Sequence, residues 1–211
     1  VTKIGNNAFN DNSAWASQSE FTKIVVPEGV EEIGDYAFYN CRKLVDLTLP
    51  KSLTTLQKDA FKGLTNLKNV VISNSVEIIE SGAFSECTSL ENLKLGSSLT
   101  TIEASAFNGT KIYSNEANWE NGLLYIGNHL VASKLKSLGT NLKTLTIRAG
   151  TKTIASSVFS ETGNIKSIVI PNSVVYIGKY ALLSCYGITS ITFEGTKSEW
   201  ADVTFGESWS L

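Results

Sequence analysis

The chain has 211 residues, 42% hydrophobic and 18% charged, with 16 glycines and 3 prolines. That composition excludes a disordered or membrane-spanning chain and leaves enough apolar material for a core. A formal net charge of −2 provides no global field for nucleic acid. The single histidine, His129, rules out a histidine-rich metal centre and leaves any Ser-His-Asp or Cys-His machinery resting on one residue.

From the amino end, Val1-Thr2-Lys3-Ile4-Gly5 has neither the basic start nor the apolar stretch of a signal peptide, so the chain reads as a mature or excised segment. No run approaches the ~20 apolar residues of a transmembrane helix, and no membrane insertion is expected. Ala8-Phe9 is the first of a recurring pair: Ala37-Phe38, Ala60-Phe61, Ala83-Phe84, Ala106-Phe107, Val158-Phe159 and Ala181-Leu182 follow. Their spacing sets a period of 23 residues, lengthened once near the start and once in the middle of the chain. Residues 10–20, which contain Trp15, carry the first lengthening and read as a surface loop closing the amino end, or as a binding loop.

Six regular units begin at Phe21, Leu44, Leu67, Leu90, Leu142 and Ile165. Positions 1, 4, 6, 10, 13, 17 and 18 of each should face a common interior. Of those 42 positions 41 are apolar, Thr151 being the exception, where random placement at 42% would give about 18. Positions 4 and 6 alternate with outward residues, as in Leu47 and Leu49, which predicts a short strand with one buried face. Pro27, Pro50 and Pro171 end three of these strands. A second short strand spans positions 10 to 13, as in Leu53-Thr54-Thr55-Leu56, and the Ala-Phe turn closes the coil. No unit can bury its apolar side chains alone; stacked coils can, so the sequence predicts a mainly β solenoid with two short strands per repeat and about eight coils.

Residues 113–141 break the pattern. Leu123–Ile126, Gly127-Asn128 and His129–Ala132 read as a hairpin with glycine first in a two-residue turn. Trp119, Tyr113, Tyr125 and His129 concentrate there, either as an anchor patch or as filling for a larger coil. From residue 188 a last unit starts on schedule with Ile188, Ile191 and Phe193, but it places Lys197 at position 10 and Trp200 at position 13, as a terminal cap would. The resulting organisation is one repeat domain: 1–20 a partial repeat or cap, 21–112 four regular repeats, 113–141 the hairpin unit, 142–187 two regular repeats, 188–211 a carboxyl-terminal cap.

Units such as Leu44-Val45-Asp46-Leu47-Thr48-Leu49-Pro50 through Ala60-Phe61, and Ile168-Val169-Ile170-Pro171-Asn172-Ser173-Val174 through Ile177-Gly178 and Ala181, resemble the BspA-type (Treponema-type) leucine-rich repeat, L-x-x-I-x-I-P-x-S-V-x-x-I-G-x-x-A-F-x-x-C. The resemblance covers nearly the whole chain. It implies a right-handed leucine-rich-repeat coil and an extracellular or cell-surface protein of a host-associated bacterium, adhering to host or microbial proteins. A passive stalk holding another domain away from the cell is the alternative function.

Chemistry is sparse. Glu31, Glu32, Glu77, Glu80 and Glu103 fall at outward positions rather than around a cleft, so no enzyme is expected, and no cofactor or metal. Cys41, Cys87 and Cys185 share position 21. Cys41 and Cys87 are two coils apart, roughly 10 Å at strand spacing, beyond the ~7 Å a disulfide spans, and all three read as buried thiols. Lys134, Lys136, Lys143, Arg148 and Lys152 form a mild basic cluster without interleaved aromatics, a solvated face rather than a nucleic-acid track. The candidate protein-binding residues are therefore the outward position-5 strip, Val25, Thr48, Val71, Lys94, Thr146, Val169 and Thr192, together with Trp119 and Tyr125. The expected partner is a host matrix or microbial surface protein.

Overall fold

A computed structural model describes residues 1–11, 20–138, 143–163 and 165–209; Trp15 and Leu142 lie outside them. The chain divides into two units, one formed by Val1–Leu99 with Ser105–Asn118, the other by Thr100–Ala104 with Trp119–Leu211.

The first unit carries β1 (Lys3–Ile4), β2 (Lys23–Val25), β3 (Glu32–Ile33), β4 (Asp46–Thr48), β5 (Thr55–Leu56), β6 (Asn69–Val71), β7 (Ile78–Ile79), β8 (Asn92–Lys94), a short helix α1 (Lys111–Ser114) and a 3-10 turn at Glu116–Asn118. All strand pairs here are parallel. β3, β5 and β7 stack with a one-coil offset, Glu32 opposite Thr55 opposite Ile78, and β1 adds to β3. β2 pairs with β4, and β6 with β8, at the same offset. The predicted two strands per coil are both present, each only two or three residues long.

The Ala-Phe turn is not a strand, yet it is laddered like one. N–H groups at positions 16, 18 and 20 donate to carbonyls at positions 15, 17 and 19 of the next coil. Asp59 donates to Ser81 (3.0 Å), Phe61 to Ala83 (3.0 Å) and Gly63 to Ser85 (2.8 Å). Aiming three alternate N–H groups along the stack forces positions 16 and 20 into the left-handed region. Tyr36, Asp59, Ser105, Ser157 and Tyr180 have φ of 51–61° at position 16, while Asn40, Glu86, Glu161 and Ser184 have φ of 59–61° at position 20. Glycine, the residue for which that conformation is free, occupies only some of these places, as at Gly82. Inside the turn the rings form a column: Phe9, Phe38, Phe61, Phe84 and Phe107 stack at centroid distances of 5.1, 5.6, 5.3 and 6.1 Å, all within 10° of parallel.

Side-chain donors also pass from coil to coil. Position-9 serines donate to the position-10 carbonyl of the preceding coil: Ser52 to Val30 (2.7 Å), Ser75 to Leu53 (3.0 Å) and, in the second unit, Ser173 to Thr151 (2.8 Å). The thiols of Cys87 and Cys185 donate to Phe61 (3.1 Å) and Phe159 (2.8 Å). All three cysteines are buried and unbridged, as expected. Threonine at the same position turns inward on its own coil instead, Thr110 donating to Phe107 (2.8 Å) and Thr162 to Phe159 (2.5 Å).

The second unit carries β9 (Thr101–Ile102), β10 (Trp119–Glu120), β11 (Leu123–Ile126), β12 (His129–Ser133), α2 (Leu135–Leu138), β13 (Thr144–Thr146), β14 (Thr153–Ile154), β15 (Ser167–Ile170), β16 (Tyr176–Ile177), β17 (Ser190–Phe193), α3 (Lys197–Asp202) and β18 (Thr204–Phe205). The hairpin is where the sequence puts it: β11 and β12 are antiparallel, with Ile126 opposite His129 across Gly127, whose φ is 56°. β12 then pairs parallel with β14, so its first residues stand in for the second strand of a regular coil. β14, β16 and β18 continue that ladder, and β13, β15 and β17 form the other. Gly178 sits where coils nearly touch, since a Cβ there would lie 2.4 Å from the Ser156 nitrogen. First strands occur seven times among the described residues, against about eight predicted coils, because the irregular unit supplies a hairpin instead.

Four sequence expectations need correction. Phe21 and Ile191, placed in the core by their position, are 47% and 36% exposed; they belong to the first and last of the regular first-strand units among the described residues. Phe205, not Trp200, stands opposite Ile177, since α3 inserts before the last strand. Lys197 starts that helix behind a Thr196/Glu199 capping box, and Trp200 packs on Phe193 (5.0 Å) and Phe205 (5.1 Å). Glu103 is buried rather than outward, its carboxylate 3.2 Å from the Lys179 ammonium.

Candidate functional site

Along the first strands position 4 faces inward, most completely at Leu47, Val70, Leu145 and Ile168. The flanking positions 3 and 5 must then point away from the core, and stacking aligns them coil upon coil. In the first unit this builds a groove of about 980 Å³ in which Thr48, Val71 and Lys94, three of the candidates, stand with the position-3 residues Lys23, Asp46 and Asn69. Val25 continues the strip opposite Thr48 without lining the groove. Val25 and Val71 are 57% and 63% exposed, more than any inward valine, so the strip presents apolar as well as polar surface. The Asn92 amide donates to the Asn69 side chain at 2.8 Å, tying adjacent coils together at the outward face.

The second unit repeats the arrangement on a smaller scale. Thr146, Val169 and Thr192 are in register across β13, β15 and β17, Val169 being half-buried and the threonines exposed. The Ser167 and Thr144 hydroxyls are 2.9 Å apart in the parallel position-3 row. Beside them a hollow of about 460 Å³ brings Thr146 together with Tyr125, Glu120 and Arg148. There Arg148 stacks its guanidinium 4.2 Å from the Tyr125 ring centroid, donates to Glu120 (2.7 Å) and to the Gly127 carbonyl (2.6 Å), and its backbone N–H donates to the Tyr125 hydroxyl (3.2 Å). Tyr125 is thus half-buried and engaged. Burial is the main cause that raises its phenol pKa, partly opposed by the nearby arginine. Trp119 is half-buried too, with the Lys134 ammonium 4.7 Å over its ring. Tyr125 fastens the hairpin to the coil that follows, while Trp119 packs within the hairpin unit. Arg148 was noted in the sequence only as one of a basic cluster, and its partner Glu120 had no signal at all.

The remaining titratable groups do not assemble. Among the described residues no group of three or more His, Cys, Asp or Glu is placed to hold a metal. His129 is buried, with Nδ1 2.8 Å from the Thr153 hydroxyl. Burial, helped by the charge of Lys152, lowers its pKa to about 4. Burial pushes the Cys87 thiol up to about 12, away from nucleophilic use. Of the predicted basic cluster, Lys136 pairs with Glu161 and Arg148 with Glu120, as a solvated face does. No helix among the described residues is long and apolar enough to cross a membrane.

A family model described as the BspA type leucine rich repeat region matches the chain with 6 copies, over residues 2–136 and 132–211. Among solved structures the chain is similar to a leucine-rich repeat protein from Bacteroides ovatus, at 22% identity and a TM-score of 0.50, covering 98% of this chain and 55% of that one. It is also similar to a leucine rich cell surface protein from Faecalibacterium prausnitzii (21% identity, TM-score 0.39, 97% of this chain and 54% of that one). A third similarity is to the pneumococcal vaccine antigen PcpA (18% identity, TM-score 0.46, 91% and 56%). The chain spans about half the length of these proteins, and at such identities the likeness is one of fold. No curated protein matches it in sequence.

Proposed function

The chain belongs to the BspA-type leucine-rich repeat family, and from that premise we propose that it is a non-catalytic protein-recognition module of a bacterial cell-surface or secreted protein, adhering to a host or microbial protein. The observation that carries this reading is the groove of the first unit, where outward residues of successive coils are held in register over about 980 Å³. A surface of this kind mixes exposed valines with amides, hydroxyls and lysines, the make-up of an ordinary non-obligate protein interface. Nothing on it resembles a catalytic pairing of base and nucleophile. Surface location is proposed on the family.

Biolayer interferometry of the chain against matrix proteins, fibronectin among them, at physiological salt tests the reading. Saturable binding lost in a Thr48→Glu/Val71→Glu variant and kept in Thr146→Glu assigns recognition to the first unit. Binding that survives both variants but is lost on Trp119→Ala moves it to the hairpin. A chain that binds no protein on the panel speaks for a passive spacer.

A further inference from the structure

The groove of the first unit also carries information about what it would hold, an inference that rests on the recognition reading above. Elsewhere in that unit four lysines are answered by carboxylates: Lys3 by Glu32 (2.8 Å), Lys43 by Glu20 (2.5 Å), Lys111 by Glu91 (2.5 Å) and Lys62 by Glu86 (3.4 Å). Lys58 and Lys68 stand singly outside the groove, with no carboxylate within 4.0 Å among the described residues. Lys23, Lys51 and Lys94, all exposed and all lining the groove, have no carboxylate within 4.0 Å of their ammonium groups among the described residues. Asp46 is the one acid lining it. It stands opposite Lys23 in the strand register without forming an ion pair. Glu28, near Lys51, is taken up by the Lys51 backbone N–H at 2.9 Å. The groove therefore holds three unanswered cations against one carboxylate.

Their placement adds a length scale. Lys23 lies on β2 at position 3 and Lys94 on β8 at position 5, three coils and two residues apart, which at about 4.8 Å per strand spacing and about 3.3 Å per residue is roughly 16 Å. An extended chain advances about 3.3–3.6 Å per residue, so the two lysines are about four to five residues apart for a peptide crossing the strands obliquely, a span that lysine side chains reach from a four-residue spacing. Between them Val71 presents its exposed side chain, with half-buried Leu95 at the far edge. No aromatic residue lines the groove, so a nucleic-acid base finds no stacking platform there. We infer that this groove takes an extended acidic peptide segment of a partner protein, with carboxylates meeting Lys23 and Lys94 and an apolar side chain between them on Val71. Attraction to the unpaired ammonium groups supplies direction and rate, and Val71 supplies the dry contact.

The test uses the full chain and three probes: a short dye-labelled peptide of sequence Glu-Ser-Val-Ser-Glu, which in extended form sets both glutamates and the valine on one face, its counterpart with glutamine for glutamate, and soluble polygalacturonate. Fluorescence anisotropy should show saturable binding of the glutamate peptide that weakens with added salt. It should weaken by at least about tenfold in a Lys23→Glu/Lys94→Glu variant. A Lys136→Glu variant, altered in the second unit, should bind as wild type, and unchanged circular dichroism of the groove variant would confirm its fold. Equal binding of the glutamine peptide, indifference to the groove variant, or binding of the polyuronate alone would each overturn the inference. Failure of the glutamate peptide alongside saturable binding of a matrix protein would overturn it too, while leaving the recognition reading intact.

Discussion

Replacing Phe84 by alanine removes the fourth ring of the five-ring column. Phe84 is wholly buried and lies between Phe61 at 5.3 Å and Phe107 at 6.1 Å, so both of its faces lose a partner. An aromatic side chain buries about 150–250 Å², most of which an alanine gives up, worth roughly 3 kcal/mol at about 25 cal/mol per Å². The neighbouring rings are held by laddered backbone, Phe84 N–H to the Ala106 carbonyl at 2.9 Å and Phe61 N–H to that of Ala83 at 3.0 Å, so the hole cannot close freely. A cavity term brings the expected loss to about 4 kcal/mol, within the 3–5 kcal/mol usual for such truncations. Urea unfolding followed by far-ultraviolet circular dichroism measures it. Two companion variants sharpen the result. Phe84→Leu should cost only about 1 kcal/mol, since the fold already accepts leucine at this position in Leu182. Phe21→Ala, the same chemistry at a position 47% exposed, should cost less than about 1.5 kcal/mol. A Phe84→Ala chain unfolding at the wild-type midpoint would refute the column as a source of stability.

Ser157→Gly should raise stability by up to about 1 kcal/mol, because its φ of 57° is strained for any side chain, and Gly82→Ala should lower it by about as much or more, φ there being 69° with Asp59 in the way of a Cβ; thermal melts decide both. His129 binds its proton more weakly folded (about 4) than unfolded (6.5), so stability should be full above pH 6.5, fall as pH drops toward 4, and level off below. His129→Gln should lose that slope, by about 2–3 kcal/mol across the window, when urea midpoints of the two proteins are compared at each pH. The Cys87 and Cys185 thiols, raised in pKa chiefly by burial, should resist a thiol-reactive disulfide reagent in native buffer at pH 8 and react at once in denaturant; fast native labelling would contradict their inward placement.

The repeat was legible because burial is periodic: a position facing the interior in one coil does so in the next, and the pattern reports that directly. Thr151, the one polar exception, is buried all the same and returns its hydroxyl to the Arg148 carbonyl at 2.7 Å. The left-handed turn positions left no such trace. Tyrosine, aspartate, asparagine, serine and glutamate all occupy them, held there by backbone bonds that the side chains do not advertise. Terminal strands were misread where burial depends on a neighbour, as at Phe21 and Ile191, and α3 was missed because one unit gives no period to compare with. For the candidate site, alternation was enough to place Thr48, Val71 and Lys94 on one outward strip. It could not show which lysines lack carboxylates, nor that Arg148 clasps Tyr125, since those facts depend on side-chain reach across coils.

The serine hydroxyls at position 9 and the cysteine thiols at position 21 of regular coils find their acceptors at set distances along the chain. Ser52 and Ser75 reach back 22 residues, and Cys87 and Cys185 reach back 26. Removing or duplicating one whole 23-residue coil leaves every such donor facing an equivalent carbonyl. Extra residues between coils are tolerated, since the Cys41 thiol reaches back 32 residues to the Phe9 carbonyl at 3.1 Å, but a single residue added within a strand would turn its later side chains to the opposite face. The array is thus indexed like a rack: its reach, and with it the number of outward rows offered to a partner, can change only by complete coils.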